Sequence, residues 1–217
     1  MTRDDPEATG GEPGRGPGGG SGGGSGALPE PRRSAVQYPG GLSARYRWTG
    51  SNQMAALVAI SEAGGTLIDH GPLVSTAPDR LCRAELRVEA PTTTWTARFA
   101  SPIHDEPTGM LWDTTALLIV KYGFEVYALE ARTGELRWHH ASRTPVVAIL
   151  GSSRLAHVIA QTEIETIALD AGGEVVWRAA HSDVVSEVEL VGGRLVLTSY
   201  AGLLQTLDPV TGRQLDR

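Results

Sequence analysis

Apolar and polar residues alternate in short runs over residues 110–217, and glycine interrupts these runs about every ten positions. Valine, isoleucine, threonine and tryptophan are frequent in the runs, and a two-residue period with such side chains favours strands over helices. The stretch NQMAALVAISEAG, residues 52–64, has the most helical character, but it leads into GTLID as a strand, a turn and a second strand would. The pattern therefore predicts an all-β fold.

The pattern repeats with a period of about forty residues. ALEARTGELRW at 128–138 is followed by ALDAGGEVVW at 168–177 and by the weaker TLDPVTGRQLD at 206–216. Equivalent positions carry a leucine, an acidic residue, a glycine and, in two copies, a tryptophan. These residues are Leu129, Leu169 and Leu207; Glu130, Asp170 and Asp208; Gly134, Gly173 and Gly212; Trp138 and Trp177. A fixed period of this length is typical of repeat architectures.

Each copy has the pattern of a β-hairpin. A short strand-like run precedes the acidic residue, and a second run follows the glycine. The carboxylate can accept hydrogen bonds from the next backbone amides, Thr133 or Thr211 can do the same, and glycine can take the positive φ that closes the turn. Two further strand-like runs lie upstream of the hairpins, for example TPVVAILG and RLAHVIAQ, so one period holds four strands.

A four-stranded antiparallel sheet repeated at this period is the unit of a β-propeller, whose blades pack against one another. The tryptophan spacing extends the period upstream, through Trp95 in RVEAPTTTWTARF to Trp48. The strand with Trp48 has no hairpin of its own, and we expect it to complete the last blade, because an open array would expose sheet edges. The predicted blades cover about residues 50–100, 108–141, 144–180 and 183–217.

The hairpin ALEARTGELRW resembles the signature of the pyrroloquinoline-quinone-like (PQQ-like) β-propeller repeat, which reads approximately A-L-D-A-x-T-G-x-x-x-W. The resemblance covers about residues 110–217 and weakens at 206–216, where Asp216 takes the tryptophan position. It implies that the tryptophan packs between adjacent blades, as a bulky apolar side chain at that position would also do on physical grounds. The signature is specific for a fold and not for a function.

The quinone-dependent dehydrogenases that give the repeat its name resemble this chain only in the hairpin; they are much longer, have eight blades and hold a quinone and a calcium ion. Residues that would hold these groups are not found here, and the adjacent cysteine pair of many members is excluded because Cys82 is the single cysteine. We therefore expect no cofactor. Three alternatives stay open for this short chain: a small closed ring, a larger ring formed by two chains, or a fragment of a longer propeller.

Composition excludes several classes of partner. The net charge is −6 and no basic face is gathered in the folded part, so no nucleic-acid partner is expected. The acidic N-terminus lacks the features of a signal peptide, and apolar runs such as residues 116–120 are too short to span a bilayer. A single cysteine is compatible with a reducing compartment. We therefore predict a cytoplasmic protein that has no membrane partner.

The chain is expected to divide into two parts. Residues 1–42 are rich in glycine, proline and serine and cannot bury enough apolar surface to fold, so we predict a disordered tail and an extended lead-in. Residues 43–217 are predicted to form the propeller domain.

The candidate chemistry is sparse, and no catalytic, cofactor-binding or metal-binding residue is assigned. His139 and His140 are neighbours on a predicted strand, so they point to opposite faces and do not suit a shared metal. The loop His104-Asp105-Glu106 could bind a cation, although a plain polar loop is favoured. No nucleophile motif or phosphate loop is present.

The sequence therefore predicts a non-catalytic β-propeller that binds or assembles other proteins, as a monomer or a homodimer. A quinoprotein-type oxidoreductase and a truncated remnant of a longer propeller are the alternatives. Binding is expected in loops at one end of the propeller, at residues 101–109 and near Ser142 and Ser182, because a rigid scaffold commonly presents its contacts on loops.

Overall fold

The computed structural model describes residues 31–50 and 81–215, and the backbone of residues 66–69. These residues form β-sheets, with short 3₁₀ turns at Pro39–Gly41 and Asp113–Thr115. The all-β fold made of blade-like sheets, which the repeat predicts, is confirmed. The glycine-rich residues 1–30 and the stretch 52–64 lie outside the described residues.

The first sheet is a four-stranded antiparallel blade with one additional strand. Its strands are β1 (Arg32–Tyr38), β2 (Leu42–Thr49), β3 (Thr66–Asp69), β4 (Cys82–Glu89) and β5 (Thr94–Ser101), in the order β1-β2-β4-β5-β3. The strand β3 pairs in parallel with β5, whereas the other neighbours are antiparallel. Trp95 lies on β5, so the tryptophan period noted in the sequence reaches the β4–β5 hairpin of this sheet.

The second and third sheets are meanders of four antiparallel strands. The second contains β6 (Thr108–Trp112), β7 (Leu117–Tyr122), β8 (Glu125–Glu130) and β9 (Leu136–Ala141), and the third contains β10 (Val146–Leu150), β11 (His157–Thr162), β12 (Glu165–Asp170) and β13 (Val175–Ala180). In both sheets the repeated hairpin forms the last two strands, with a β-bulge just before the tryptophan on the final strand.

The fourth sheet has three strands in the described residues, β14 (Val185–Val191), β15 (Arg194–Ser199) and β16 (Leu204–Leu207). A single bridge joins Leu207 to Gln214, at the place where a fourth strand begins in the second and third sheets. This sheet is therefore less complete than the blades before it.

Two boundaries differ from the sequence prediction. The folded part was expected from Ser43, but β1 lies ahead of it and pairs along its length with β2. The strand with Trp48 is β2, which pairs with β1 and β4 in the first sheet, so the prediction that it completes the last blade is wrong. The reason is that residues 50–81 are inserted between β2 and β4, and this insertion separates the Trp48 strand from its hairpin in the sequence.

The sheets pack in chain order through three apolar clusters. One cluster joins the first sheet to the second, another joins the second to the third, and the last joins the third to the fourth. Strands β7 and β11 are buried at every position because both faces of their sheets are covered. Along β15 buried residues alternate with half-buried or exposed ones for most of its length, because the described residues cover only one face of the fourth sheet.

The tryptophan of each hairpin joins its sheet to the turn of the next one. Trp95 donates its indole N–H to the carbonyl oxygen of Ala131 at 3.1 Å, and Trp138 donates to that of Ala171 at 3.0 Å. The ring of Trp138 lies over Gly173, where an added Cβ would be 2.7 Å from the ring. The glycine therefore permits this close approach as well as the positive φ of the turn.

At the interface between the third and fourth sheets, a different side chain donates the hydrogen bond to the turn carbonyl. Trp177 packs over Gly212, but its indole nitrogen is buried without a hydrogen-bond partner in the described residues. The equivalent turn carbonyl, that of Pro209, is 2.8 Å from Nε2 of His157, which must carry the proton because a carbonyl only accepts. His157 meets Trp177 edge to face, with the ring centroids 5.9 Å apart. A histidine thus replaces tryptophan as the donor at this interface.

We expect Trp138→Ala to lower the free energy of unfolding by about 3–5 kcal/mol, because it removes a buried aromatic ring. Trp177→Ala should cost less, since that ring is only partly covered and makes no indole hydrogen bond. His139→Ala is the control: its side chain is 58% exposed, and the change should stay within about 0.5 kcal/mol. Urea unfolding followed by circular dichroism measures all three, and equal small effects would contradict the packing role of tryptophan.

The turn glycines allow a matched comparison. Gly173 and Gly192 both have positive φ, 87° and 59°, so alanine carries a left-handed backbone cost of about 1–2 kcal/mol at either position. Gly192 has open space around its Cβ position, whereas alanine at Gly173 would collide with Trp138. Gly173→Ala should therefore destabilise the protein more than Gly192→Ala. Equal thermal shifts for the two variants would argue against the tryptophan contact.

Candidate functional site: the uncovered face of the last sheet

One face of the fourth sheet has no sheet packed against it in the described residues. The strand register places alternate residues of β14, β15 and β16 on this face. We call it the terminal face, and it consists of Glu187, Glu189, Val191, Arg194, Val196, Thr198, Leu204 and Thr206. The opposite face carries Leu195, Leu197 and Leu207, which are buried against the third sheet.

The repeat shows that a terminal-face position is a packing position in the other sheets. Each of the repeat leucines, Leu129, Leu169 and Leu207, pairs with a residue on the preceding strand of its sheet. The next residue along that preceding strand is Ile119, Ile159 or Val196, respectively. Ile119 and Ile159 are fully buried, whereas Val196 is only half-buried. Val191 and Leu204 on the same face are 55% and 56% exposed. The terminal face therefore corresponds to an inter-sheet surface that no sheet of the described residues covers.

The charge of this face is negative. Glu187 and Glu189 are both exposed, and they alternate with Ser186 and Val188 along β14. Arg194 is the one basic side chain among the eight residues of the terminal face. A surface that combines exposed aliphatic side chains with two carboxylates favours an apolar partner that carries positive charge.

A well-ordered turn extends the apolar surface beside the terminal face. Tyr200 and Leu203 in the β15–β16 turn are 78% and 65% exposed. The carboxylate of Asp183 accepts hydrogen bonds from the amides of Val184 and Ala201, at 2.8 and 3.2 Å. The Ser199 hydroxyl and these two amides lower the pKa of Asp183. The two exposed side chains are thus presented by an anchored turn.

A polar network joins the fourth sheet to the third. The Thr166 hydroxyl donates to Oε1 of Gln161 at 2.6 Å and accepts from Nε2 of His181 at 2.7 Å. The other ring nitrogen, Nδ1, is 2.9 Å from Oε1 of Gln205 on β16. Burial lowers the pKa of His181, and this effect outweighs the Gln205 hydrogen bond and the charge of Glu165. His181 therefore contacts both sheets, Thr166 through Nε2 and Gln205 through Nδ1.

The repeat residues predicted from the sequence lie in or beside the hairpin turns, at the places where neighbouring sheets meet. Leu129, Leu169 and Leu207 are buried, and the turn glycines Gly134, Gly173 and Gly212 have φ of 75°, 87° and 70°. They hold the scaffold together and do not converge on one site.

The acidic residues of the repeat behave in two ways. Asp170 accepts from the amides of Gly172 and Glu174, and Asp208 accepts from that of Val210, as expected. Glu130 bonds instead to Arg137 at 3.1 Å, because its longer side chain reaches across to the next strand.

The predicted binding loops are held by internal contacts. In the loop 101–109, the carboxylate of Asp105 receives two short hydrogen bonds from the buried ammonium of Lys121 and one from the amide of Gly123. Asp105 is thus already engaged, which speaks against the cation-binding alternative for this loop. Ser142 donates to the carbonyl oxygen of Phe124, and Ser182 is exposed.

The side chains that commonly bind metal ions are scattered over the described part of the chain. Within residues 31–50 and 81–215, no three or more His, Cys, Asp or Glu side chains lie close enough to hold a metal ion. His139 lies 3.4 Å from Glu125, and burial together with nearby Arg178 lowers the pKa of His140. Cys82 is buried. The same part of the chain contains no helix long and apolar enough to cross a membrane.

The terminal face was missed at the sequence level, although a signal for it exists. The run SEVELV of β14 alternates apolar and polar residues over most of its length, whereas the equivalent run of β10, VVAIL, is continuously apolar. Continuous runs indicate strands covered on both faces, and alternating runs indicate strands covered on one. Comparing repeats for this difference identifies the uncovered sheet.

The sheets and the repeated turns define a β-propeller repeat protein. Residues 122–215 match the family model described as outer membrane protein assembly factor BamB, and the PQQ-like repeat recognised in the sequence is thereby confirmed. No curated protein matches the chain significantly.

Solved structures with similar folds come from several kinds of protein. BamB from Moraxella catarrhalis is 21% identical, with 61% of this chain and 41% of that chain covered and a TM-score of 0.47. Dihydro-heme d1 dehydrogenase NirN in complex with DHE is 14% identical, with coverages of 71% and 36% and a TM-score of 0.49. HIRA(644-1017) is 13% identical, with coverages of 87% and 54% and a TM-score of 0.46. The chain spans less than two thirds of the length of each of these proteins.

The His181 network makes stability depend on pH. Because the pKa of His181 is lower in the folded protein than its ordinary value of 6.5, the unfolded chain binds the proton more readily. The contribution of His181 is therefore complete above pH 6.5 and is lost as the pH falls below it. Urea unfolding between pH 5 and pH 8 should show a flatter profile for His181→Gln than for the wild type. His139→Ala is the control, and an unchanged slope for His181→Gln would contradict this role.

Proposed function

We propose that this protein is a non-catalytic β-propeller scaffold that binds another protein through the terminal face of its fourth sheet. The distribution of exposed apolar residues carries the proposal. Nine large apolar residues are exposed in the described part of the chain, and five of them lie on the fourth sheet or its turns. They are Val191, Tyr200, Leu203, Leu204 and Val210. An apolar surface concentrated in this way, with polar residues around it, is typical of a protein-binding site.

The chemistry of the rest of the described chain supports a binding role. The buried ionic contact of Lys121 with Asp105 anchors a loop, and the buried polar network around Thr166 joins two sheets. These groups are engaged in holding the fold, so they are poor candidates for acid–base or nucleophilic work. A quinoprotein-type oxidoreductase and a truncated remnant remain the competing functions.

A photo-crosslinking residue in place of Leu204 tests the proposed site. In cells of the source organism we expect a discrete protein adduct from this position. The same residue in place of Glu135, which is 65% exposed on the β8–β9 turn, should give none. Adding Val196→Lys to the Leu204 protein should remove the adduct, because a charge would then stand in the centre of the apolar contact. Equal adducts at both positions, or none at Leu204, would reject the terminal face as the binding surface.

The non-catalytic part of the proposal has a separate test. The protein is titrated with pyrroloquinoline quinone and calcium, and dye reduction is followed with alcohols and sugars as electron donors. We expect no saturable quinone binding and no turnover. Turnover that follows quinone occupancy would instead make the protein an oxidoreductase.

A further inference from the structure

One face of the first sheet gathers arginines from four strands. The strand register places alternate residues of β1, β2, β4 and β5 on the face opposite to the apolar cluster that joins this sheet to the second. We call it the arginine face, and it carries Arg33, Arg45, Arg47, Arg83, Arg87, Arg98, Glu85 and Glu89. Six positive charges against two negative ones leave an excess of four positive charges. A basic face was not expected from the sequence, because these arginines are spread over residues 33–98 and only the register brings them together.

The carboxylates of the arginine face do not neutralise it. Glu85 is shared by Arg47 and Arg98, at 4.0 and 3.5 Å, and Glu89 is shared in the same way by two more arginines. Two guanidinium nitrogens of Arg47, Nε and Nη2, are buried without a hydrogen-bond partner among the described residues. Burial lowers the pKa of Arg47, the charge of Glu85 opposes this shift, and the charge of neighbouring Arg33 adds to it. Positive charges therefore still repel one another on this face.

The accessible part of the arginine face lies on β1 and β2. The side chain of Arg45 is 58% exposed and Arg33 is exposed, whereas the side chains of Arg47 and Glu85 are 15% and 7% exposed. β1 begins at Arg32, one residue before Arg33. The segment that precedes β1 is therefore tethered beside the exposed arginines.

The sequence of that preceding segment complements the charge of the face. Residues 4–12, DDPEATGGE, contain four carboxylates and no basic residue, and a glycine-rich stretch follows them. Glu12 and Arg32 are twenty residues apart, and a linker of this composition spans about 25 Å on average. A seven-residue strand such as β1 has about that length. The acidic segment can therefore reach the exposed arginines, at an effective concentration of about 1 mM.

We infer that residues 4–12 bind the arginine face of their own chain, with their carboxylates against the guanidinium groups of Arg33 and Arg45. The inference goes beyond the proposed function and does not depend on it, because it concerns only the first sheet and the segment before it. A free polyanion is a poorer occupant, because the net charge of −6 repels it at long range and it has no tether. The bound segment competes with acidic molecules in solution for this face.

A spin label on the whole protein tests the contact by nuclear magnetic resonance. In Ala8→Cys the nitroxide is attached among the acidic residues, and the native thiol of Cys82 is buried. We expect the side-chain Nε–Hε signals of Arg33 and Arg45 to lose roughly half of their intensity, since a millimolar contact is about half occupied at this effective concentration. Salt at about 1 M should restore them, because the Debye length falls to about 3 Å.

The matched control is a neutral tail with the same tether. It carries the substitutions Asp4→Asn, Asp5→Asn, Glu7→Gln and Glu12→Gln. Arg45→Gln with the natural tail should also relieve the broadening at Arg33, whereas Arg154→Gln, which changes an exposed arginine between β10 and β11, should not. Equal signal intensities with the natural and the neutral tail would overturn the inference. Broadening of isotope-labelled chains by spin-labelled ones in a mixture would overturn it too, because the segment would then lie on a second copy.

Discussion

The structure depends on one contact that is repeated from sheet to sheet: an indole ring seated over the glycine turn of the following hairpin. The indole ring can lie there only if the turn residue beneath it has no side chain. The carbonyl group of the turn, in its place, requires a hydrogen-bond donor. Trp95 and Trp138 satisfy the second need directly. Because the same glycine also adopts the positive φ that closes the hairpin, local turn chemistry and packing between sheets are specified by the same few residues.

This coincidence explains why so much of the fold was predictable from the sequence. The hairpins, the four-strand unit and the role of the tryptophan follow from residues close together in the chain. The place of Trp48 did not follow, because an insertion separates β2 from β4, and periodicity cannot show which sheet a displaced strand joins. The β1 segment was missed for a related reason: RRSAVQY has little apolar alternation, and its pairing with β2 becomes evident only from the register.

The candidate site was less predictable than the scaffold. Loops were expected to bind, and the loop 101–109 is instead fastened by Asp105 to a buried lysine. The terminal face depends on which sheets are neighbours, and that is a property of the whole array. The third interface illustrates the same limit. His157 takes the carbonyl that Trp177 would be expected to bond, and a spacing rule based on tryptophan does not detect the substitution.

The order in which the sheets pack also determines which sheet would open first in local unfolding. Among the described residues, each interior sheet is held by two apolar interfaces and the fourth sheet by one, in which the Trp177 indole nitrogen has no hydrogen-bond partner. In an array with nearest-neighbour coupling, such an end sheet opens most readily. Amide exchange would then be fastest in the fourth sheet and slower toward the second. A partner bound to the terminal face would act on the cooperativity of the array, by giving its loosest member a second interface.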